Sequence, residues 1–211
     1  MTFPVKRVAS VLALAVSAAI GSAETEPFVF DKSHSKVGFS IRHWVTKVEG
    51  RFKEFDGKIW LDRANPADSK VEITIQAASI DTENDRRDNH LRSADFFEVE
   101  KYPTITFKST RVEPKGKDLY DVTGELSMHG VTKTLTVPVK HTGFVNLGKQ
   151  EKAGFELTIP INRKDFGIVW NRTADQGGVM LGDDVEITVL VEANKEMPAP
   201  PEPTKVPAAS R

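Results

Sequence analysis

The side chains that could do chemistry in this 211-residue chain lie in a few polar clusters. Arg42 and His43 stand together near the start, and His129 stands before a glycine near the middle. The largest cluster contains Arg87, Asp88, His90, Arg92 and Asp95. An arginine can hold a phosphate through its planar, bidentate guanidinium, and a histidine near an aspartate can transfer protons. The residue types therefore allow anion binding or acid–base catalysis, while a purely structural role for the same residues stays open.

Other kinds of reactive site find little support in the sequence. The chain has no cysteine, which excludes a disulfide, a thiol nucleophile and a thiolate metal site. No two histidines have the spacing of zinc ligands, and the sequence lacks a Gly-x-Ser-x-Gly elbow and a phosphate-binding glycine loop. The formal net charge of −1 argues against a nucleic-acid partner, since that requires a basic face. We predict no catalytic residue, no metal site and no cofactor.

Both ends of the chain differ in composition from the part between them. A short basic start and an apolar run, closed by small residues up to Ala23, are typical of a cleavable signal peptide at residues 1–23. The run is too short to cross a bilayer comfortably, so we predict an exported periplasmic protein rather than an integral membrane protein. Residues 194–211 are rich in proline and are predicted to be a disordered tail. One domain is left, over residues 24–193.

Between these ends, apolar residues alternate with polar ones in one segment after another. Such alternation is typical of strands with one apolar face and one wet face. It predicts about eight strands, around residues 37–41, 52–61, 71–75, 105–112, 120–128, 135–139, 155–161 and 185–191. One helix is predicted at residues 85–97, within a polar insertion between two strands. The periodicity predicts an all-β domain with one short helical insertion, but it does not separate a sandwich from a barrel.

Several short motifs occur in the order that is characteristic of one protein family. They are His34-Ser35-x-Val37-x-Phe39, Gly50-x-Phe52-x-x-Phe55-x-Gly57, the insertion with Asp95-Phe96-Phe97, the run from Leu126 to Thr132, and Asp165-Phe166-Gly167. With them, residues 28–193 resemble the YceI family of secreted lipid-binding proteins. The resemblance implies a lipocalin-like barrel of eight antiparallel strands, extended along its axis. It also implies an elongated apolar channel that holds an isoprenoid or fatty chain.

The resemblance makes the alternating residues candidates for the lining of a lipid channel. The predicted lining residues are Phe39, Ile41, Ile73, Ile75, Phe96, Phe97, Phe107, Leu126, Met128, Val137, Phe155, Ile159 and Phe166. The candidates for holding a head group at the channel mouth are Arg42, His43, Arg87, His90 and His129. Burial of each methylene would contribute about 0.8 kcal/mol, so a long chain could bind without polar contacts.

Three functions stay open at this point. The favoured one is a non-catalytic periplasmic carrier of an isoprenoid or another long-chain amphiphilic lipid. The second is an enzyme at the mouth of the same barrel, with its acid and base drawn from His43, His90, His129, Asp88 and Asp95. The third is a structural or stress-response module with a filled barrel and a partner at its surface. Members of the family can pair, so a homodimer is also left open.

Overall fold

The alternating segments form antiparallel strands in the computed structural model, which describes residues 25–173 and 177–197. The strands are β1 (Glu26–Phe30), β2 (Lys36–His43), β3 (Thr46–Phe52), β4 (Phe55–Leu61), β5 (Lys70–Gln76), β6 (Ile80–Asp81), β7 (Thr104–Gly116), β8 (Leu119–Met128), β9 (Val131–Asn146), β10 (Glu151–Asn162) and β11 (Leu181–Lys195). One α-helix, α1 (Asp85–Arg92), lies between β6 and β7 in this part of the chain.

These strands close into a barrel of eight positions. β1 and β2 follow each other along the same side of β11, so together they occupy one position that is interrupted between them. The next position consists of β3 and β4, which pair with β2 and β1. The position after it consists of β6 and β5, which pair with β3 and β4, and both of these positions are also interrupted. The long strands β7 to β11 fill the remaining five positions, and pairing of β1 with both β4 and β11 closes the ring. The predicted eight-stranded antiparallel barrel is therefore confirmed.

The barrel has two ends of different construction. At the end that we call the helix end lie α1 with the turns after it, the β2–β3 and β8–β9 turns, and the segment between β10 and β11. At the opposite end, the far end, lie the β4–β5 loop and the β7–β8 and β9–β10 turns. β6 has only two residues and pairs with β3 alone, so α1 and the turns after it cover this part of the helix end.

The helix is shorter than the predicted span of 85–97. Asn84 starts it by accepting a hydrogen bond from the Arg87 backbone N–H, and it ends at Arg92. The Ser93 hydroxyl donates to the His90 carbonyl at 2.8 Å, and the Ser93 backbone is extended. A serine that bonds the last carbonyls competes with further helix formation. Phe96 and Phe97 consequently lie in turns and not on a helix face.

The other boundary that differs is the start of the predicted tail. β11 continues to Lys195, and its residues Asn194 and Lys195 pair with β1. The prediction placed these two residues in the tail because it missed β1, which supplies their hydrogen-bond partners. The leader at residues 1–23 and residues 198–211 of the tail lie outside the described residues.

The core of the described residues consists of two clusters of buried side chains. The large cluster extends along the barrel, from Phe52, Phe96 and Phe166 toward the helix end to Phe28 and Ala193 toward the far end. A small cluster of three valines lies toward the far end: Val112, Val122 and Val137. Buried apolar residues therefore lie toward both ends of the barrel.

Candidate functional site

Two apolar cavities lie in line inside the barrel. The far-end cavity has a volume of about 270 Å³ and the helix-end cavity about 230 Å³. Six aliphatic residues line both cavities and form a waist between them: Val37, Ile75, Ile105, Leu126, Ile161 and Ile187. Ligand pockets in proteins typically measure about 300–1,000 Å³, so the two cavities together have the size of one ligand site. We refer to them together as the channel.

Strand alternation builds the channel wall. On β9 the residues at every second position, Leu135, Val137, Val139 and His141, all line the far-end cavity. On β11 the same is true of Ile187, Val189 and Val191. Successive side chains of a strand point to opposite faces, so one apolar series on each strand is enough to make an apolar bore.

Two glycines of the sequence motifs allow phenylalanine rings to lie flat on this wall. Gly50 is the cross-strand partner of Phe39, and a Cβ on Gly50 would overlap the Phe39 ring. A Cβ on Gly57 would likewise overlap the ring of Phe30. A glycine in a strand often marks a close approach of this kind. Because the rings occupy the space of the missing side chains, they line the channel without filling it.

Twelve of the thirteen predicted lining residues line the channel. The helix-end cavity takes in Phe39, Ile41, Phe96, Phe97 and Met128. The far-end cavity takes in Ile73, Phe107, Val137, Phe155 and Ile159, while Ile75 and Leu126 belong to the waist. Their contact with a lipid stays a prediction.

Phe166 is the one predicted lining residue that lines neither cavity of the channel. It ends a short 3-10 turn over residues 163–166, and its side chain is only 1% exposed within the large core cluster. Gly167 follows with a φ of 76°, a left-handed conformation that glycine adopts at little cost. The ring of Phe166 therefore packs within the large core cluster, and its contact with a lipid stays a prediction.

The five candidates for a head-group site do not all lie together. His43, Arg87 and His90 line the helix-end cavity, whereas Arg42 and His129 line neither cavity. The exposed Arg42 side chain donates to the Val45 carbonyl at 3.3 Å within the β2–β3 turn. The polar rim of the helix end is therefore limited to three of the five predicted residues.

Arg87 and Asp88 fix α1 to the barrel. Asp88 is 3% exposed, and its carboxylate accepts hydrogen bonds from the backbone N–H and the hydroxyl of Thr82. The Arg87 guanidinium donates to the Thr82 hydroxyl and carbonyl, both at 2.7 Å. Arg92 donates to the carbonyls of Ala78 and Ile80. These bonds satisfy buried polar groups, and they support the structural interpretation of the cluster.

His90 and Asp95 form the one histidine–aspartate pair of the predicted acid–base set that is in contact within the described residues. The His90 Nε2 and Asp95 Oδ2 atoms are 2.8 Å apart at a partly exposed position. The His90 ring also packs edge-on against Phe96 and Trp170, with ring centres 5.0 and 4.8 Å away. The pair therefore orients the turn after α1, and the Nε2 atom of His90 already has Asp95 as its hydrogen-bond partner.

His129 occupies a left-handed turn position, with a φ of 51°, between β8 and β9. Its Nδ1 atom lies 2.9 Å from the Phe166 carbonyl oxygen, and its ring packs against Tyr102 at 4.9 Å. The histidine thus links three segments of the helix end. This arrangement matches the interpretation in which His129 bonds a turn.

Sequence reasoning missed Arg163, which lines the helix-end cavity together with Ile168 and Trp170. The Arg163 side chain is 4% exposed and donates to the carbonyls of Gly182, Ile168 and Trp170 at 2.8–2.9 Å. Burial lowers the pKa of this guanidinium, and the charge of Asp183 opposes that shift. No spacing in the sequence marks Arg163, because its partners are backbone carbonyls of two separate segments.

At the far end, charged residues surround the channel mouth. Arg63 lies 2.7 Å from carboxylate oxygens of both Glu26 and Glu151, and it stacks on the exposed Phe144 ring at 4.1 Å. Arg63 and Phe144 also line the far-end cavity. The pKa of Glu151 is lowered, first by its hydrogen bond to Arg63 and then by Lys195. This mouth is therefore bordered by a paired ionic network.

One group of side chains among the described residues has the mutual spacing of metal ligands: Asp31, His34 and Glu192. The ammonium of Lys152 already bonds the carboxylates of Asp31 and Glu192. Hydrogen bonds from His34 and Lys152 hold the pKa of the Asp31 carboxyl well below its usual range. Because the Lys152 cation already pairs with both carboxylates, we interpret the group as a surface ion-pair network. It lies outside the channel.

Within the described residues, no helix is both long enough and apolar enough to span a membrane.

Comparisons with known proteins place the chain within a family. The family model of the YceI-like domain matches residues 28–193. Protein YceI of Escherichia coli is 43% identical over 155 residues, which are 70% of this chain and 79% of that protein. The crystal structure of the Campylobacter jejuni YceI protein is 36% identical with a TM-score of 0.65, and the match covers 79% of this chain and 96% of that one.

A more distant structure shares the fold alone. It is a polyisoprenoid binding domain from Saccharophagus degradans, implicated in plant cell wall breakdown. It is 15% identical with a TM-score of 0.61, and the match covers 80% of this chain and 98% of that one. The family model spans the whole barrel from β1 to β11, and sequence and structure agree on the relatives, so the chain belongs to the YceI-like family.

Proposed function

We propose that this protein is a non-catalytic carrier that binds an isoprenoid or another long-chain lipid inside the barrel. The observation that carries the proposal is the pair of aligned apolar cavities, separated only by the aliphatic side chains of the waist. A flexible chain can pass such a waist through rotamer changes of Ile75, Leu126 and their neighbours, whereas a rigid, bulky ligand cannot.

The chemistry of the lining supports a chain rather than a polar metabolite. Most of the strand residues that line the bore are valine, leucine, isoleucine or phenylalanine. Transfer of apolar surface from water contributes about 25 cal/mol per Å², so a long chain gains affinity along its whole length. The fold is also that of a domain described as polyisoprenoid binding, which supports the isoprenoid class among the alternatives.

Export to the periplasm is part of the proposal. The basic start, apolar run and small residues before Glu24 support a leader that is removed after translocation. A lipid chain is nearly insoluble in an aqueous compartment, and a soluble carrier would move it between membranes. The intact mass of the exported protein tests this step, and we expect a chain that begins at about Glu24. Retention of residues 1–23 would contradict it.

Native mass spectrometry of the gently purified protein tests the carrier function directly. We expect a bound species with the mass of a lipid, and we expect Ile75→Asp to lose it, because a carboxylate in the waist would lie unpaired in apolar surroundings. The milder Ile75→Ser separates lost binding from lost folding.

Gln76→Asp is the matched control for this experiment. Gln76 is the next residue on β5, its side chain is exposed, and it lines neither cavity. The control should retain the lipid. A lipid that survives Ile75→Asp in a folded protein would place the ligand outside the channel, and a preparation that binds no lipid of any class would favour a filled structural barrel.

A further inference from the structure

One lining residue of the channel differs in chemistry from its neighbours. His141 continues the inward series of β9 after Val137 and Val139, and it lines the far-end cavity. Its Nε2 atom is buried and has no hydrogen-bond partner. Among the described residues that line the channel, it is the one buried side-chain polar atom in this condition. Buried polar atoms are nearly always hydrogen-bonded, so an orphaned atom in a ligand channel indicates a missing partner.

The surroundings of His141 define what that partner must be. The Nδ1 atom lies 3.8 Å from the Asp118 carboxylate, which favours the tautomer with its proton on Nδ1. The ring packs against Phe144 and Phe155, with centres 4.4 and 5.2 Å away. Burial lowers the pKa of His141, and the nearby Arg63 charge adds to this effect while Asp118 opposes it. A neutral ring of this tautomer offers Nε2 as a hydrogen-bond acceptor, so the partner must be a donor.

The charged groups near this histidine do not favour an anionic partner. Arg63 is paired with Glu26 and Glu151, both at 2.7 Å. Glu156 is paired with Lys140 at 2.7 Å, and the Asp118 carboxylate itself faces the histidine. Lys70 lines the same cavity with an exposed side chain at the mouth. A phosphate beside His141 would bring a further negative charge near Asp118, and the Arg63 guanidinium at this mouth is already paired.

We propose that the far-end cavity binds the hydroxyl end of a long-chain alcohol, with the hydroxyl donating a hydrogen bond to His141 Nε2. This inference rests on the proposed lipid-binding function and names the class and direction of the ligand. The apolar tail then passes the waist toward α1, where the helix-end cavity is lined by Phe39, Phe96 and Phe97. This placement reverses the earlier prediction for the head group. The polar end of the ligand would lie at the far end of the barrel, and the polar cluster of the helix insertion lies at the other end.

The test compares three lipids with the same chain: geranylgeraniol, its methyl ether and its diphosphate. Equilibrium binding to the exported protein should favour the alcohol over the ether by about tenfold, since the ether has no donor for Nε2. The diphosphate should bind more weakly than the alcohol. In His141→Phe the alcohol and the ether should bind with equal affinity, because the ring is kept and the acceptor is removed. His141→Gln, which restores a polar side chain, should recover part of the preference.

His34→Phe is the matched control, since it makes the same replacement on an exposed histidine outside the channel. It should retain the full preference for the alcohol. Nitrogen-15 NMR of the histidine rings adds a direct readout, because the His141 Nε2 resonance should shift with the alcohol and not with the ether. Lipid affinities and NMR shifts are compared only among variants that a melting curve shows to be folded.

The outcomes separate this inference from the carrier function. Equal binding of alcohol and ether to the unaltered protein would overturn the His141 site and leave the carrier intact. A preference for the alcohol that survives His141→Phe would overturn it too, and would place the hydroxyl at His43, Arg87 or His90. Tighter binding of the diphosphate would overturn the class of ligand. Absence of binding by all three lipids would overturn the carrier and this inference together.

Discussion

The helix end and the far end of the barrel are closed by different kinds of interaction. At the helix end, the buried side chains of Asp88 and Arg163 bond backbone groups of separate segments, and aromatic rings pack around them. At the far end, the partly exposed Arg63 pairs with carboxylates at the surface, and Phe144 is 39% exposed. Buried networks of this kind resist opening, whereas exposed ion pairs contribute little. The comparison suggests that the helix end is a fixed cap and that the far end is the mouth through which a ligand enters.

The largest expected difference concerns the two arginines. Arg163→Met would leave the carbonyls of Gly182, Ile168 and Trp170 without their donor and should lower the free energy of unfolding by about 3–5 kcal/mol. Arg63→Met, the matched change at the far end, should cost about 1 kcal/mol or less, since its side chain is 38% exposed. Urea unfolding of both variants measures this. Equal losses would remove the distinction between a fixed cap and a loose mouth.

A second comparison uses one aromatic residue from each end. Phe96 is 6% exposed and packs against His90 and Trp170, so Phe96→Ala should lower the free energy of unfolding by about 3 kcal/mol. Phe144→Ala should lower it by about 1 kcal/mol but should speed lipid release, because Phe144 covers the far mouth. Melting curves and lipid dissociation rates decide this. Faster release from Phe96→Ala alone would place the mouth at the helix end.

A third comparison narrows each half of the channel separately. Gly50→Ala would push the Phe39 ring into the helix-end cavity, and Gly57→Ala would push the Phe30 ring into the far-end cavity. Overpacking of this kind typically costs about 1–3 kcal/mol. If the ligand spans the waist, both variants should weaken lipid binding while they stay folded. Weakening by only one of them would show that the lipid occupies a single cavity.

The smallest expected effect is the pH dependence that His141 imposes on the far end. Its pKa is lowered in the folded protein by burial, so the unfolded state binds its proton at higher pH than the folded state does. Stability from this group is therefore present above about pH 6.5 and is lost as the pH falls. His141→Phe should flatten the fall in unfolding free energy as the pH falls below about 6.5, while His34→Phe should follow the unaltered protein. Parallel curves for all three proteins would show that His141 is not protected from solvent.

Much of the barrel was readable from alternation alone. The series on β2, β5 and β7 to β11 all stand near their predicted positions, because a half-buried strand requires one apolar face. β1 escaped prediction, since a strand of five residues with a proline gives too short a pattern, and the end of β11 was misplaced with it. The helix ends at Arg92, before its predicted end, because the hydroxyl hydrogen bond of Ser93 competes with the helical pattern.

The sequence by itself determined the apolar lining of the channel, because that lining is a period-two property of each strand taken separately. It could not determine which polar residues share one site, since Arg42 and His43 are neighbours in the chain but only His43 reaches a cavity. Closure of the barrel decided the rest. It buried Arg163 among carbonyls of two separate segments, and it left His141 Nε2 without a partner inside the bore. The surroundings of Arg163 and of His141 are formed by residues far apart in the chain. Which side chains are buried, and which polar atoms find hydrogen-bond partners, is therefore decided only when the chain folds.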